Sequence, residues 1–111
     1  MTVDIQPIPR PGWDPQPGAT GIVGRVLVRA ADLGVAELRF SEHAAIPEHP
    51  GENDAIVICL AGEGFTSIGG ETARLREEEW VLWPKGTTHG LWTEGSTMTT
   101  LMIERADWRV D

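Results

Sequence analysis

Two histidines carry the chemical potential of this chain. His89 closes the segment Trp83-Pro84-Lys85-Gly86-Thr87-Thr88-His89, in which a Pro-x-Gly turn stands just ahead of the ring. His49 opens a second segment, His49-Pro50-Gly51-Glu52-Asn53-Asp54. An imidazole titrates near neutral pH, so it can serve as a general base, and its ring nitrogens also ligate metals. Both histidines border strand-like apolar stretches, which suggests that one small β-barrel brings them into a single pocket.

The elements that must position them read as strands. Residues 35–40 largely alternate in and out with period two, and residues 55–60 are continuously apolar, as in a strand covered on both faces. Gly62-Glu63-Gly64 bends the chain into residues 65–68, and Gly69-Gly70 is a two-residue hairpin signal that returns through residues 72–75. Residues 80–83 and 90–92 flank the Pro-x-Gly turn, and residues 97–103 form a last strand. Turns recurring about every eight to twelve residues point to an all-β sandwich or barrel. Five of the eight prolines fall within residues 1–20. Proline fixes φ and lacks an amide donor, so this stretch is expected to be an extended Pro-rich arm ahead of one barrel domain over residues 21–111. Trp13 within the arm needs a greasy cover, either the barrel wall or a second subunit.

Composition narrows the function classes. A chain of 111 residues, 41% hydrophobic, is one ordinary globular domain. Its net charge of −8, with scattered basic residues, argues against nucleic-acid binding. The single Cys59 sits in an apolar run and reads as a buried core residue rather than a nucleophile. The N-terminal residues lack the pattern of a secretory signal, and no apolar stretch is long enough to span a membrane. A cytoplasmic protein without membrane association is the expectation.

In these residues the chain resembles the cupins, small β-barrels of the jelly-roll type. Pro84-x-Gly86-x-x-His89 fits the core of the second cupin motif without a gap, and His49 with Gly62 fits the frame of the first. The likeness spans about residues 35–105 and includes some similarity to the cupin domain of bacterial anti-sigma factors around His49-Pro50-Gly51 and His89-Gly90-Leu91-Trp92. The departures are specific. The first histidine of the usual His-x-His falls on Pro47, the leading glycine of the second motif on Glu78 and its trailing asparagine on Thr93. The usual glutamate falls at Asn53 or Asp54 counted from His49, and at Ala55 counted back from Gly62.

The resemblance implies a metal site with His49, Asp54 and His89 as ligands, the two-His-one-carboxylate set that suits iron, manganese, nickel, copper or zinc. It implies a substrate pocket beside them, with Trp83, Leu91 and Thr93 on its wall. A ring there would stack on a planar aromatic or sugar, whereas tryptophans otherwise fill cores and interfaces. His43 is expected at the surface or rim. Without a metal, His49 or His89 can act as base with Asp54 or Glu52 orienting it, but the chain has no tyrosine to act as the acid of cupin epimerases. No organic cofactor is expected. A homodimer through the arm and a sheet edge would cover Trp13 and Trp108. Two functions stay open: a cupin that binds a small organic molecule, around a divalent metal with a degenerate ligand set or without one, and a metal-dependent enzyme of dioxygenase, isomerase or lyase type.

Overall fold

β-Branched and aromatic residues at alternating positions fold as strands between residues 10 and 105. The computed structural model describes residues 2–105, which contain eight strands and no helix. They are β1 (Arg10–Pro15), β2 (Thr20–Arg29), β3 (Leu33–Pro50), β4 (Ala55–Ile68), β5 (Glu71–Arg76), β6 (Trp80–Trp83), β7 (Thr88–Trp92) and β8 (Met98–Arg105). With no helix present, none is long and apolar enough to cross a membrane among the described residues.

Two long strands make the barrel. The first part of β3 pairs with β2 and β8, and its last part pairs with β7. The first part of β4 likewise pairs with β6 and β8, and its second part with β5 and β7. Each strand therefore passes from one layer into the other, as in a jelly roll. The corners need unusual backbone. Gly62 turns β4 at φ 74, and a Cβ there would collide with the Thr97 carbonyl, so only glycine fits. In β3 the corner falls at His43, a non-glycine residue at φ 55 whose amide donates to the Glu94 carbonyl. Its side chain is exposed. The Gly69-Gly70 hairpin joins β4 to β5 as expected, with both glycines at positive φ.

β3 also runs through Pro47, although proline has no amide to donate to a ladder. The register with β7 shifts between Ile46 and His49. Pro47 sits in that irregularity, where no ladder donor is required of it.

The inward faces of both layers close over Ile22, Leu38, Phe40, Val57, Leu91 and Met98. Cys59 is fully buried there, and burial pushes its thiol pKa up. The Pro-rich segment contributes β1, which pairs with β2 at the sheet edge. Trp13 on β1 is half-buried beneath two guanidinium groups, Arg39 at 4.0 Å and Arg25 at 4.8 Å from the ring centroid. Trp108 lies outside the described residues.

Candidate functional site

Strand register brings the histidines together. His49 near the end of β3 lies directly opposite His89 on β7. Directly paired side chains on adjacent strands share a face. The rings meet edge-on at 86° with centroids 4.4 Å apart, and their Nε2 atoms are 3.1 Å apart.

His89 is buried and held on three sides. The Trp83 indole stacks on it at 3.9 Å between centroids, with 15° between the planes. That indole is itself fixed, since its Nε1 donates to the Thr66 hydroxyl at 2.9 Å and the hydroxyl donates to the Gly90 carbonyl at 2.8 Å. Gly51 lies against the Cε1–Nδ1 edge of the ring, where a Cβ would lie 2.6 Å from His89 Cε1. Gly51 is pinned in turn, because its amide donates to the Thr87 carbonyl and its carbonyl accepts from the Gly86 amide. The Pro-x-Gly turn therefore serves as a clamp on the loop after β3.

Hydrogen bonding sets the tautomer of His49. His49 Nδ1 lies 3.0 Å from the Pro47 carbonyl, which can only accept, so Nδ1 carries the proton of neutral His49. Its Nε2 then presents a lone pair towards His89 Nε2, 3.1 Å away. His89 Nδ1 is buried, with no hydrogen-bond partner of normal geometry. Burial, and then the proximity of His49, lower the His89 pKa, while the Thr87 carbonyl acts in the opposite direction.

Beside the pair opens a cavity of about 310 Å³, walled by Trp83 and Met102 and bordered by Glu52, Asn53 and Glu104. Asn53 donates to Glu104 at 3.4 Å across the mouth. Of the expected site residues, His49, His89 and Trp83 gather here. Asp54 does not. Its Oδ1 accepts from the Lys85 amide at 2.8 Å and its carbonyl accepts from Arg105, so it ties down the Pro-x-Gly turn. Leu91 is fully buried in the core, deeper than His89 on the same face of β7. Thr93 is buried at the corner of β3, accepting from the Ala44 amide and donating to the Ser41 carbonyl. Neither lines the cavity. Trp83 also has one ring face already occupied by His89, which limits stacking on a ligand. The residues that sequence reasoning passed over are Met102 and Glu104. The signal for them is their even spacing with Met98 and Thr100 on one face of β8.

The pair meets part of what a metal requires. Two metal–nitrogen bonds of about 2.0–2.1 Å at near-octahedral or tetrahedral angles set their nitrogens roughly 3 Å apart, as these Nε2 atoms are. A third protein donor is lacking, because no group of three His, Cys, Asp or Glu side chains is gathered among the described residues. The set does not fit a centre with three or more protein ligands.

Comparison with known proteins agrees with the geometry. The cupin-domain family model matches residues 36–104, and the chain belongs to that family. Among solved structures it is similar to the polyketide cyclase RemF from Streptomyces resistomycificus, with 21% identity, a TM-score of 0.78 and coverage of 96% of this chain and 81% of that one. KdgF from a Halomonas species is 23% identical with a TM-score of 0.73, covering 87% of this chain and 88% of its own. A Streptococcus pyogenes protein of unknown function is 26% identical with a TM-score of 0.72, covering 79% and 76%. No curated protein shows a significant match.

Proposed function

We propose that this cupin binds a small organic molecule in the cavity beside His49 and His89. The observation that carries the reading is the oriented imidazole pair, His89 buried and His49 exposed, at the wall of a cavity of about 310 Å³. An enclosure of that size admits a small molecule. Glu52 and Glu104 at its border accept hydrogen bonds and repel anions. The ligand class is therefore a neutral or cationic molecule bearing hydroxyl or amino groups, not a dicarboxylate or a phosphate.

One observation favours a second reading, a metal-dependent cupin enzyme of dioxygenase, isomerase or lyase type. The 3.1 Å separation of the Nε2 atoms suits two adjacent ligand positions on a divalent transition ion. His49 and His89 would hold the ion, with water or substrate completing its shell. When bound, such an ion supplies Lewis-acid polarisation of a substrate oxygen. The similarity to a polyketide cyclase supports small-molecule chemistry in a barrel of this shape.

Elemental analysis of untagged protein, with His49→Ala and His89→Ala alongside, separates the two. Near-stoichiometric iron, manganese, nickel, copper or zinc, lost in both variants, selects the enzyme reading. No metal after reconstitution, together with thermal-shift hits among polyols and amines that His89→Ala abolishes, selects metal-free binding. No metal and no ligand that His89→Ala affects would sink both.

A further inference from the structure

Pro15, Val23, Arg39 and Thr99 form one row across β1, β2, β3 and β8, because each is the direct partner of the next. Directly paired residues on neighbouring strands point to the same side of a sheet, so the four side chains stand on one face. Together with Ser41 and Thr97 they line a cleft of about 660 Å³. It shares no residue with the cavity beside the imidazoles.

The charge of this cleft is opposite to that of its surroundings. The chain carries −8, and carboxylates border its other cavities: Glu52 and Glu104 beside the imidazoles, Glu104 again beside Ala36, and Glu63 with Glu94 beside Phe65. No Asp or Glu lines the larger cleft. Its one ionised side chain is Arg39, which pairs with no carboxylate among the described residues. The neighbouring Arg25 and Glu37 cancel each other at 2.9 Å, so the local surplus is a single positive charge. The Trp13 ring carries the Arg39 guanidinium, with Cζ 4.0 Å from the ring centroid. A guanidinium held on a ring face keeps its N–H donors and can present two of them to one carboxylate. Thr97 and Thr99 add hydroxyl donors, whereas the Ser41 hydroxyl already donates to the Gly21 carbonyl. Pro15 and Val23 give the cleft an apolar wall.

We propose that this cleft is a second binding site, for a small monocarboxylate with an apolar body. One guanidinium balances one carboxylate, and it leaves a phosphate dianion undercompensated in a chain that is already negative. The apolar wall covers the remainder of the ligand. The barrel then carries two sites of opposite preference. Glu52 and Glu104 repel anions from the imidazole cavity, and Arg39 draws them to the face where Trp13 packs.

NMR titration of the isotope-labelled full chain with benzoate tests this, with benzamide, acetate and inorganic phosphate as comparison probes. Benzoate is expected to bind at roughly 1 mM or tighter and to shift the amides of Arg39, Thr97 and Thr99. Benzamide lacks the charge and acetate the apolar body, so each should bind about tenfold more weakly or worse. Arg39→Gln should weaken benzoate about tenfold or more, as loss of a charge-assisted hydrogen bond does. Val23→Glu sets a carboxylate directly opposite Arg39 and should abolish binding. Val23 is partly exposed, so that variant keeps the test open if Arg39→Gln loses its packing on Trp13, and circular dichroism confirms which variants are folded. No saturable shift at tens of millimolar benzoate would overturn the proposal. So would shifts centred on His49, Gly51 and His89, or binding that the folded variants leave unweakened. Acetate or phosphate binding as tightly as benzoate would reduce the cleft to a place for an adventitious ion only, and would overturn it too.

Discussion

His89 is the residue whose environment says most about its chemistry. Burial disfavours its cation and so does the neighbouring His49, so its pKa is lowered from the ordinary value of 6.5. The unfolded chain then binds this proton more readily than the folded one, and stability rises with pH through the window below about 6.5. The native state is expected to lose stability progressively as pH falls from about 6.5, and His89→Gln to lose less over the same range. Chemical denaturation at a series of pH values checks this, and equal slopes for the two proteins would refute it. Asp54 offers a contrasting case. Its carboxylate caps the Lys85 amide rather than joining the imidazoles. Asp54→Ala should therefore cost about 1 kcal/mol of stability, the value of one such hydrogen bond, while leaving metal content and ligand affinity as they are. Loss of bound metal in that variant would restore Asp54 to the ligand set. The two histidines were legible in the sequence because the spacing of the Pro-x-Gly turn fixes where β7 begins. Asp54 was not, because its role turns on a single residue of register in a loop.

At the scale of the element, the site depends on how the loop after β3 meets the turn before β7. Gly51 lies so close to His89 that a methyl group would push on a ring already backed by Trp83. The Trp83 indole is itself held by its hydrogen bond to the Thr66 hydroxyl. Gly51→Ala is expected to separate the imidazoles and to destabilise the protein by roughly 1–3 kcal/mol, as overpacking does. Ligand or metal affinity should fall further than stability does, because the displaced group belongs to the site. Calorimetric binding measured beside thermal unfolding tests this, and unchanged affinity with lowered stability would remove Gly51 from the positioning of His89. Strands were readable from alternation and the β4–β5 hairpin from its two glycines. The corners were harder to see. β3 bends at His43 and continues through Pro47 within a register shift, and both features look like strand breaks when only period two is considered.

For the whole molecule, the balance of charge and core decides how stability responds to salt. Seventeen acidic residues face nine basic ones, and only two ion pairs form among the described residues, Arg25–Glu37 and Arg74–Glu63. Screening weakens attraction and repulsion alike. Exposed pairs such as Arg74–Glu63 are worth less than about 1 kcal/mol, so little is lost when they are screened. The repulsion among the surplus carboxylates acts against the folded chain as a whole and is relieved by the same ions. Burial of the core from Ile22 to Met98 is non-polar and is not screened at all. Relief of repulsion therefore outweighs loss of pairing. The melting temperature at neutral pH is expected to rise as sodium chloride is raised from a few millimolar to a few hundred. Replacing Glu77, Glu78 and Glu79 with glutamine should flatten that rise, since three carboxylates in a row contribute most densely to the repulsion. Calorimetry across the salt series measures both effects. A melting temperature that falls with salt would show that attractive pairs, not the net charge, govern the folded state.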